Sequence, residues 1–180
     1  MAQVAWTLVN WSSPKQGKIQ PAWLKSFKVT NCSEEKGKQS TFVIRSLEVS
    51  PDPLALPGIV TVHFEINNLL DISDSDDVQI SVDMDLTRGG TTVKIPCLDM
   101  FGSCTYNDVC SLLAPIETCP PEFMESNVPC KCPINKADYI LQQVSANVGI
   151  SFPPGDYSAT ANMTLNGLFA ACINVTFTVE

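Results

Sequence analysis

Val78-Gln79-Ile80-Ser81-Val82-Asp83-Met84-Asp85-Leu86 alternates apolar and polar residues without a fault. Successive side chains of a strand point to opposite faces, so Val78, Ile80, Val82, Met84 and Leu86 turn inward and the rest turn to solvent. The same period recurs on either side. Upstream, Val60, Val62, Phe64 and Ile66 alternate with Thr61, His63 and Glu65. Downstream, Arg88-Gly89-Gly90 supplies turn chemistry before Thr91 to Ile95. Near the C-terminus, Ala159, Ala161, Met163 and Leu165 face in, and Ser158, Thr160, Asn162 and Thr164 face out. Asn166-Gly167 then predicts a type I′ hairpin, because both residues tolerate positive φ. The returning strand sets Val175, Phe177 and Val179 in and Asn174, Thr176 and Thr178 out. The fold class is all-β and antiparallel from Phe27 onward, whereas residues 1–26 lack a clean period and read as an N-terminal extension.

Composition narrows the chemistry. The 180 residues carry 11 Lys+Arg against 19 Asp+Glu, a formal charge of −8, which argues against a nucleic-acid binder. A hydrophobic content of 44% argues against disorder, and no apolar run reaches the length of a membrane-spanning helix. Eight cysteines, an even number, point to an oxidising compartment. Four glycosylation acceptors agree with it: Asn10-Trp-Ser12, Asn31-Cys-Ser33, Asn162-Met-Thr164 and Asn174-Val-Thr176. Met1 to Trp23 has no basic start with an uninterrupted apolar stretch and does not read as a signal peptide; a mature, truncated or re-engineered N-terminus accounts for it.

Six of the cysteines fall between Cys97 and Cys132, interleaved with prolines. One short helix is expected there, with Thr105 as N-cap, Asp108 in the first turn, and Val109, Leu112 and Leu113 on one face, ending before Pro115. The rest reads as loops held by crosslinks.

Candidate catalytic groups are sparse. His63 is the single histidine, on the polar face of a strand, with no nucleophile motif, H-E-x-x-H or phosphate-cradling loop beside it. Asp83 and Asp85 share a face as a glycosidase pair would, and equally as any solvent-facing strand does; the surface reading is preferred. The run Asp71 to Asp77 offers oxygen ligands for Ca²⁺ but lacks the glycine and distal glutamate of an EF-hand, so a solvated turn is preferred. The cysteine spacings do not suit zinc, and disulfides account for them better. Ala146 to Pro154 places Val148, Ile150 and Phe152 in alternation before Pro153-Pro154-Gly155. That is either an ordinary strand ending or an apolar loop at a cavity mouth, able to touch a membrane.

Several blocks together carry a resemblance. Arg45-Ser46-Leu47, Pro51-Asp52-Pro53, Pro57-Gly58, Lys94-Ile95-Pro96-Cys97, Gly102-Ser103-Cys104-Thr105, Pro129-Cys130-Lys131-Cys132-Pro133, Gly155-Asp156-Tyr157 and Cys172 follow one another in register. The chain from about Phe27 to Glu180 resembles the ganglioside GM2 activator family of lipid-recognition (ML) domains. The resemblance implies a cup-like antiparallel β-sandwich of immunoglobulin-like type, with a central apolar cavity, one or two short helices and four disulfides. It implies the pairs Cys32–Cys172, Cys97–Cys104, Cys110–Cys132 and Cys119–Cys130, which spacing alone cannot choose among about a hundred pairings. It also implies a non-enzymatic glycosphingolipid-binding and transfer protein, without cofactor, in the lysosomal lumen or secreted. Such a protein lifts a ganglioside-type lipid from an anionic membrane surface and presents it to a hexosaminidase-type glycosidase. The alternative is a secreted lipid or sterol carrier that hands its ligand to a receptor or another carrier.

By strand parity, Val60, Val62, Phe64, Ile66, Ile80, Val82 and Met84 are the expected lining of the cavity, with Val148, Ile150 and Phe152 at its mouth. Two departures touch membrane contact: Thr92 stands where mammalian members carry tryptophan, and the Ala146 to Pro154 segment is shorter and offers Phe152 in place of tryptophan. At about pH 4.5 many carboxylates are partly protonated, so membrane binding is expected to strengthen between pH 7 and pH 5.

Overall fold

The computed structural model describes residues 27–98 and 100–180; the extension over residues 1–26 and the Asn10 acceptor lie outside them. Among the described residues, nine strands and two short α-helices follow in the order β1 (Lys28–Asn31), β2 (Phe42–Ser50), β3 (Gly58–Asn68), β4 (Val78–Arg88), β5 (Thr91–Lys94), β6 (Thr105–Tyr106), α1 (Val109–Leu113), α2 (Pro121–Glu125), β7 (Ala137–Val148), β8 (Gly155–Leu165) and β9 (Leu168–Val179). They form two antiparallel sheets. The larger runs β1-β9-β8-β4-β5, with β6 also on β4, and the smaller runs β2-β3-β7. Among the described residues no helix is long and apolar enough to cross a membrane.

The faultlessly alternating stretch Val78 to Leu86 forms β4, which is an interior strand of the larger sheet. One edge pairs with β8 along its length; the other is shared by β6 at Ile80 and Ser81 and by β5 from Asp85 to Arg88. The β8–β9 hairpin turns at Asn166 (φ 50°) and Gly167 (φ 74°), the left-handed pair that a type I′ turn requires. Between β5 and β6 the chain doubles back so tightly that a Cβ on Gly102 would lie 2.2 Å from the Pro96 carbonyl oxygen. Only glycine fits there.

The smaller sheet contains a strand that periodicity does not reveal. In β7, Gln142 and Gln143 together oppose His63, a bulge between the pairs Val62–Val144 and Phe64–Leu141. One extra residue inverts the parity, so the inward set Tyr139, Leu141, Val144, Ala146 and Val148 has no single period.

Two local expectations are corrected. Thr105 does not cap α1: it belongs to β6, paired with Ser81. Asp108 is the N-cap instead, its carboxylate accepting the Ser111 N–H at 3.1 Å. The hydrogen bonds from the Ser111 side chain and then its backbone hold the Asp108 carboxyl below the usual carboxylate value. The second correction is α2, in a stretch read as loop. Pro121 opens it, where a missing N–H leaves no helical bond unmade.

Disulfides join Cys32 to Cys172, Cys97 to Cys104, Cys110 to Cys132 and Cys119 to Cys130. The two sheets are laced together at both ends of β2. Thr41 N–H donates to the Ala170 carbonyl at 2.8 Å, Leu54 N–H to Thr178 at 2.8 Å, and Glu180 N–H to Leu54 at 3.0 Å.

Two buried clusters form on the larger sheet and its loops. One is built on Ile72, Val78 and Cys110, the other on Met84, Tyr157 and Val179. Facing them, the inward side of the smaller sheet buries Leu141, yet Val60, Val62, Phe64 and Ile66 stay only half-buried. A filled sandwich would bury all of them. The space between the sheets is incompletely filled.

Candidate functional site

A cavity of about 200 Å³ opens between the sheets at the end that carries α1. Its walls come from strand parity: Val78 and Ile80 of β4, Ala161 and Met163 of β8, Ala171 and Ile173 of β9, and Phe42 across the gap on β2. The end is closed by loops. Ile72 and Ile134 exchange both backbone hydrogen bonds, at 2.9 and 2.8 Å, and the Cys110–Cys132 bond fastens Val109 of α1 beside them. The wall is apolar nearly throughout. Water in such a space finds no partners, so the cavity favours hydrocarbon over solvent.

The opposite end is plugged by aromatic rings. Phe101 meets Phe152 at 4.5 Å edge-on, Phe152 meets Tyr157 at 6.4 Å, and Tyr157 stacks on Phe177 at 5.0 Å. Tyr157 donates its hydroxyl to the Pro153 carbonyl at 2.7 Å, and burial pushes its phenol up. Phe101 and Phe152 thereby pin two loops together, β5–β6 and β7–β8. On those loops Leu98, Met100 and Ile150 stand about two-thirds exposed, at 64%, 61% and 63%.

The expected lining residues thus divide. Ile80 lines the cavity. Val60, Val62, Phe64 and Ile66 share the inward face with Phe42 and Ile44, and Val148 ends that face opposite Gly58. Met84 and Val82 pack instead with the aromatic cluster, as does Phe152, which is drawn in by Phe101 and Tyr157 rather than left at the mouth. Ile150 alone of that segment's apolar trio projects into solvent.

Parity turns Ala161 and Met163 inward without marking them as lining. Ile72 and Ile134 carry no signal, because their position depends on a loop-to-loop bridge; Val109 is marked only as part of the apolar face of α1, which the Cys110–Cys132 bond brings to the cavity.

The other candidates are surface groups. His63 Nδ1 donates to the Gln142 carbonyl at 2.8 Å, while Nε2 lies 3.9 Å from Glu65. Asp83 bonds Lys94, whose ammonium that contact holds above its ordinary value, helped by Asp83 and Asp85 charge. In the acidic run, Asn166 first and then Ser73 hold the Asp76 carboxyl low, tying the run to the hairpin tip. Among the described residues no three His, Cys, Asp or Glu side chains gather as a metal site.

Comparison with known proteins agrees with this geometry. Residues 26–179 match the ML domain family. The chain is 30% identical over 161 residues to the ganglioside GM2 activator of Mus musculus, covering 84% of this chain and 81% of that protein. It is 31% identical over 173 residues to that of Macaca fascicularis, covering 91% and 87%. Among solved structures it aligns with a Niemann-Pick type C2 protein from Japanese carpenter ant, at TM-score 0.45 and 12% identity, over 85% of this chain and 99% of that one. The family match over residues 26–179 and the two curated relatives settle the family: the chain belongs to the ML-domain family of lipid-binding proteins, as a relative of the ganglioside GM2 activators.

Proposed function

We propose that the protein takes the hydrocarbon tails of a ganglioside-type glycosphingolipid between its sheets, lifts the lipid from a membrane and presents its sugar head to a soluble lysosomal glycosidase of the hexosaminidase kind. The observation that carries this reading is the nearly wholly apolar wall of the cavity, over β2, β4, β8 and β9. Moving a tail into water costs about 0.8 kcal/mol per CH₂, so a carrier must replace the bilayer as solvent. Size matters here. About 200 Å³ is below the ~300–1,000 Å³ of whole-ligand pockets, so the cavity takes part of a chain. The half-buried Val60, Val62, Phe64 and Ile66 offer the adjoining apolar surface for the rest. The relatives' name, ganglioside GM2 activator, supports the same lipid class.

The test is transfer of ganglioside from vesicles, with mass spectrometry of the lipid bound to the recovered protein. A sphingolipid is expected; a sterol or free fatty acid would replace this reading with the carrier one. Hexosaminidase added to the complex is expected to release sugar, and turnover without it would make the chain itself the hydrolase. Ala161→Phe, which fills the cavity from β8, is expected to cut transfer at least tenfold. Overpacking costs about 1–3 kcal/mol, so circular dichroism should still report a folded sandwich. Undiminished transfer by that folded variant would remove the cavity from the mechanism.

Membrane contact falls to the loops pinned by Phe101 and Phe152. Ile150→Asp is expected to reduce partition onto anionic liposomes severalfold at pH 5 while changing unfolding free energy by less than about 0.5 kcal/mol. The unsubstituted protein should bind more at pH 5 than at pH 7, because protonation of carboxylates lowers its net negative charge. Equal partition at both pH values would exclude charge as the control.

A further inference from the structure

The polar side of the larger sheet has no part in holding a lipid, yet it carries two of the four Asn-x-Ser/Thr acceptors. Asn174 pairs with Thr160 on β8 and Thr30 on β1, and Thr160 pairs with Asp83, all in one outward row. Asn162 lies in the next outward row, between Ser81 and Cys172. The two asparagines are diagonal neighbours on adjacent strands. Asn31 differs. It pairs with the cavity residue Ile173 and faces the hollow beside Phe42 and Ile44, so it does not belong to this outer face.

In both outward asparagines the amide is turned the same way. Thr160 Oγ1 donates to Asn174 Oδ1 at 2.9 Å, and the Lys36 ammonium donates to Asn162 Oδ1. An ammonium can only donate, which fixes oxygen toward Lys36 and nitrogen away from it. Neither Nδ2 has a hydrogen-bond partner among the described residues. The atom that would bear a glycan is therefore the one each side chain leaves uncommitted.

We propose that Asn162 and Asn174 are both N-glycosylated, making the outer face of the β1-β9-β8-β4-β5 sheet a carbohydrate-covered face. The donor is a polyprenyl-diphosphate-linked oligosaccharide. Nδ2 attacks the anomeric carbon, the carbon–oxygen bond to diphosphate breaks, the lipid diphosphate leaves, and the amide gives up one proton. Transfer precedes closure of the sheet; the finished fold then leaves each modified nitrogen on the outer face without a hydrogen bond among the described residues. The four disulfides indicate the oxidising route on which this chemistry occurs. Among the described residues, the opposite face, with Arg45, Glu48, His63, Glu65 and Asp138, holds no acceptor. The inference stands independently of which lipid is bound.

The experiment secretes the full chain from a eukaryotic cell, and secreted protein without free thiols is the sample in every arm. Peptide N-glycosidase in heavy-oxygen water is expected to convert both Asn162 and Asn174 to labelled aspartate, read by peptide mass. Thr164→Ala and Thr176→Ala should each lose one glycan, with Thr164→Ser and Thr176→Ser restoring it. An unlabelled peptide at either asparagine overturns the proposal.

Discussion

Replacing Cys32 and Cys172 together by serine is expected to remove about 5 kcal/mol of unfolding free energy, the largest loss of any of the four bonds. The bonded residues are 140 apart, and a loop of that length costs about 5 kcal/mol to close in the chain-entropy account. Cys97 and Cys104, only 7 apart, should contribute roughly 2 kcal/mol by the same relation. The long bond also sits where local structure gives least help. Among the described residues β1 is a four-residue edge strand whose one paired strand is β9, at Ile173 to Thr176. Cys172 is fully buried and its N–H donates to the buried Ser33 hydroxyl at 3.0 Å, while Ser33 N–H donates to Asn31 Oδ1 at 2.8 Å. Cutting the bond frees this assembly as a unit. Urea unfolding at pH 7 measures the two losses, and amide exchange over Lys28–Asn31 should rise in the Cys32/Cys172 variant. A loss no greater than that of the Cys97/Cys104 variant would contradict the loop-length account.

What could be read from the chain depended on how far each feature is local. The strand β4 and the hairpin at Asn166-Gly167 are determined within a dozen residues, by alternation and by turn chemistry, and both form as expected. β7 is hidden because its register lies in its pairing with β3: Gln142 and Gln143 together oppose His63, and that bulge breaks the period. Parity orients Ile80 and Val82 alike, yet Ile80 lines the cavity and Val82 packs against the aromatic cluster. The difference lies a few ångströms along the strand, in what the loops place opposite each residue. Likewise Ile72 and Ile134 reach the cavity through a bridge between segments more than sixty residues apart, which neither segment encodes alone. The high apolar content of so acidic a chain is explained by this layout: part of it walls a space rather than filling one.

Phe152 and Ile150 are two residues apart, and their aspartate variants should behave in opposite ways. Phe152→Asp is expected to cost at least 3 kcal/mol, the lower end of the range for deleting a packed ring. The ring stands between Phe101 and Tyr157, in contact with the cluster that buries Met84, Tyr157 and Val179. Removing it leaves both neighbours without an edge-on partner and brings a carboxylate against apolar surface. Desolvation raises the pKa of such a carboxylate in the folded state above its unfolded value. The charge-dependent part of the loss is then fully present above the folded pKa and vanishes below the unfolded one, so stability should partly recover on lowering the pH from 7 to about 3.5. Phe152→Leu, which keeps volume but not the ring, should lose less and show no such recovery. Ile150→Asp, at a site 63% exposed, should unfold like the unsubstituted protein at every pH while losing liposome binding. If Phe152→Asp were instead as stable as Ile150→Asp, the ring would be a membrane contact rather than the plug between the loops and the cup, and both halves of the membrane reading would have to be reassigned.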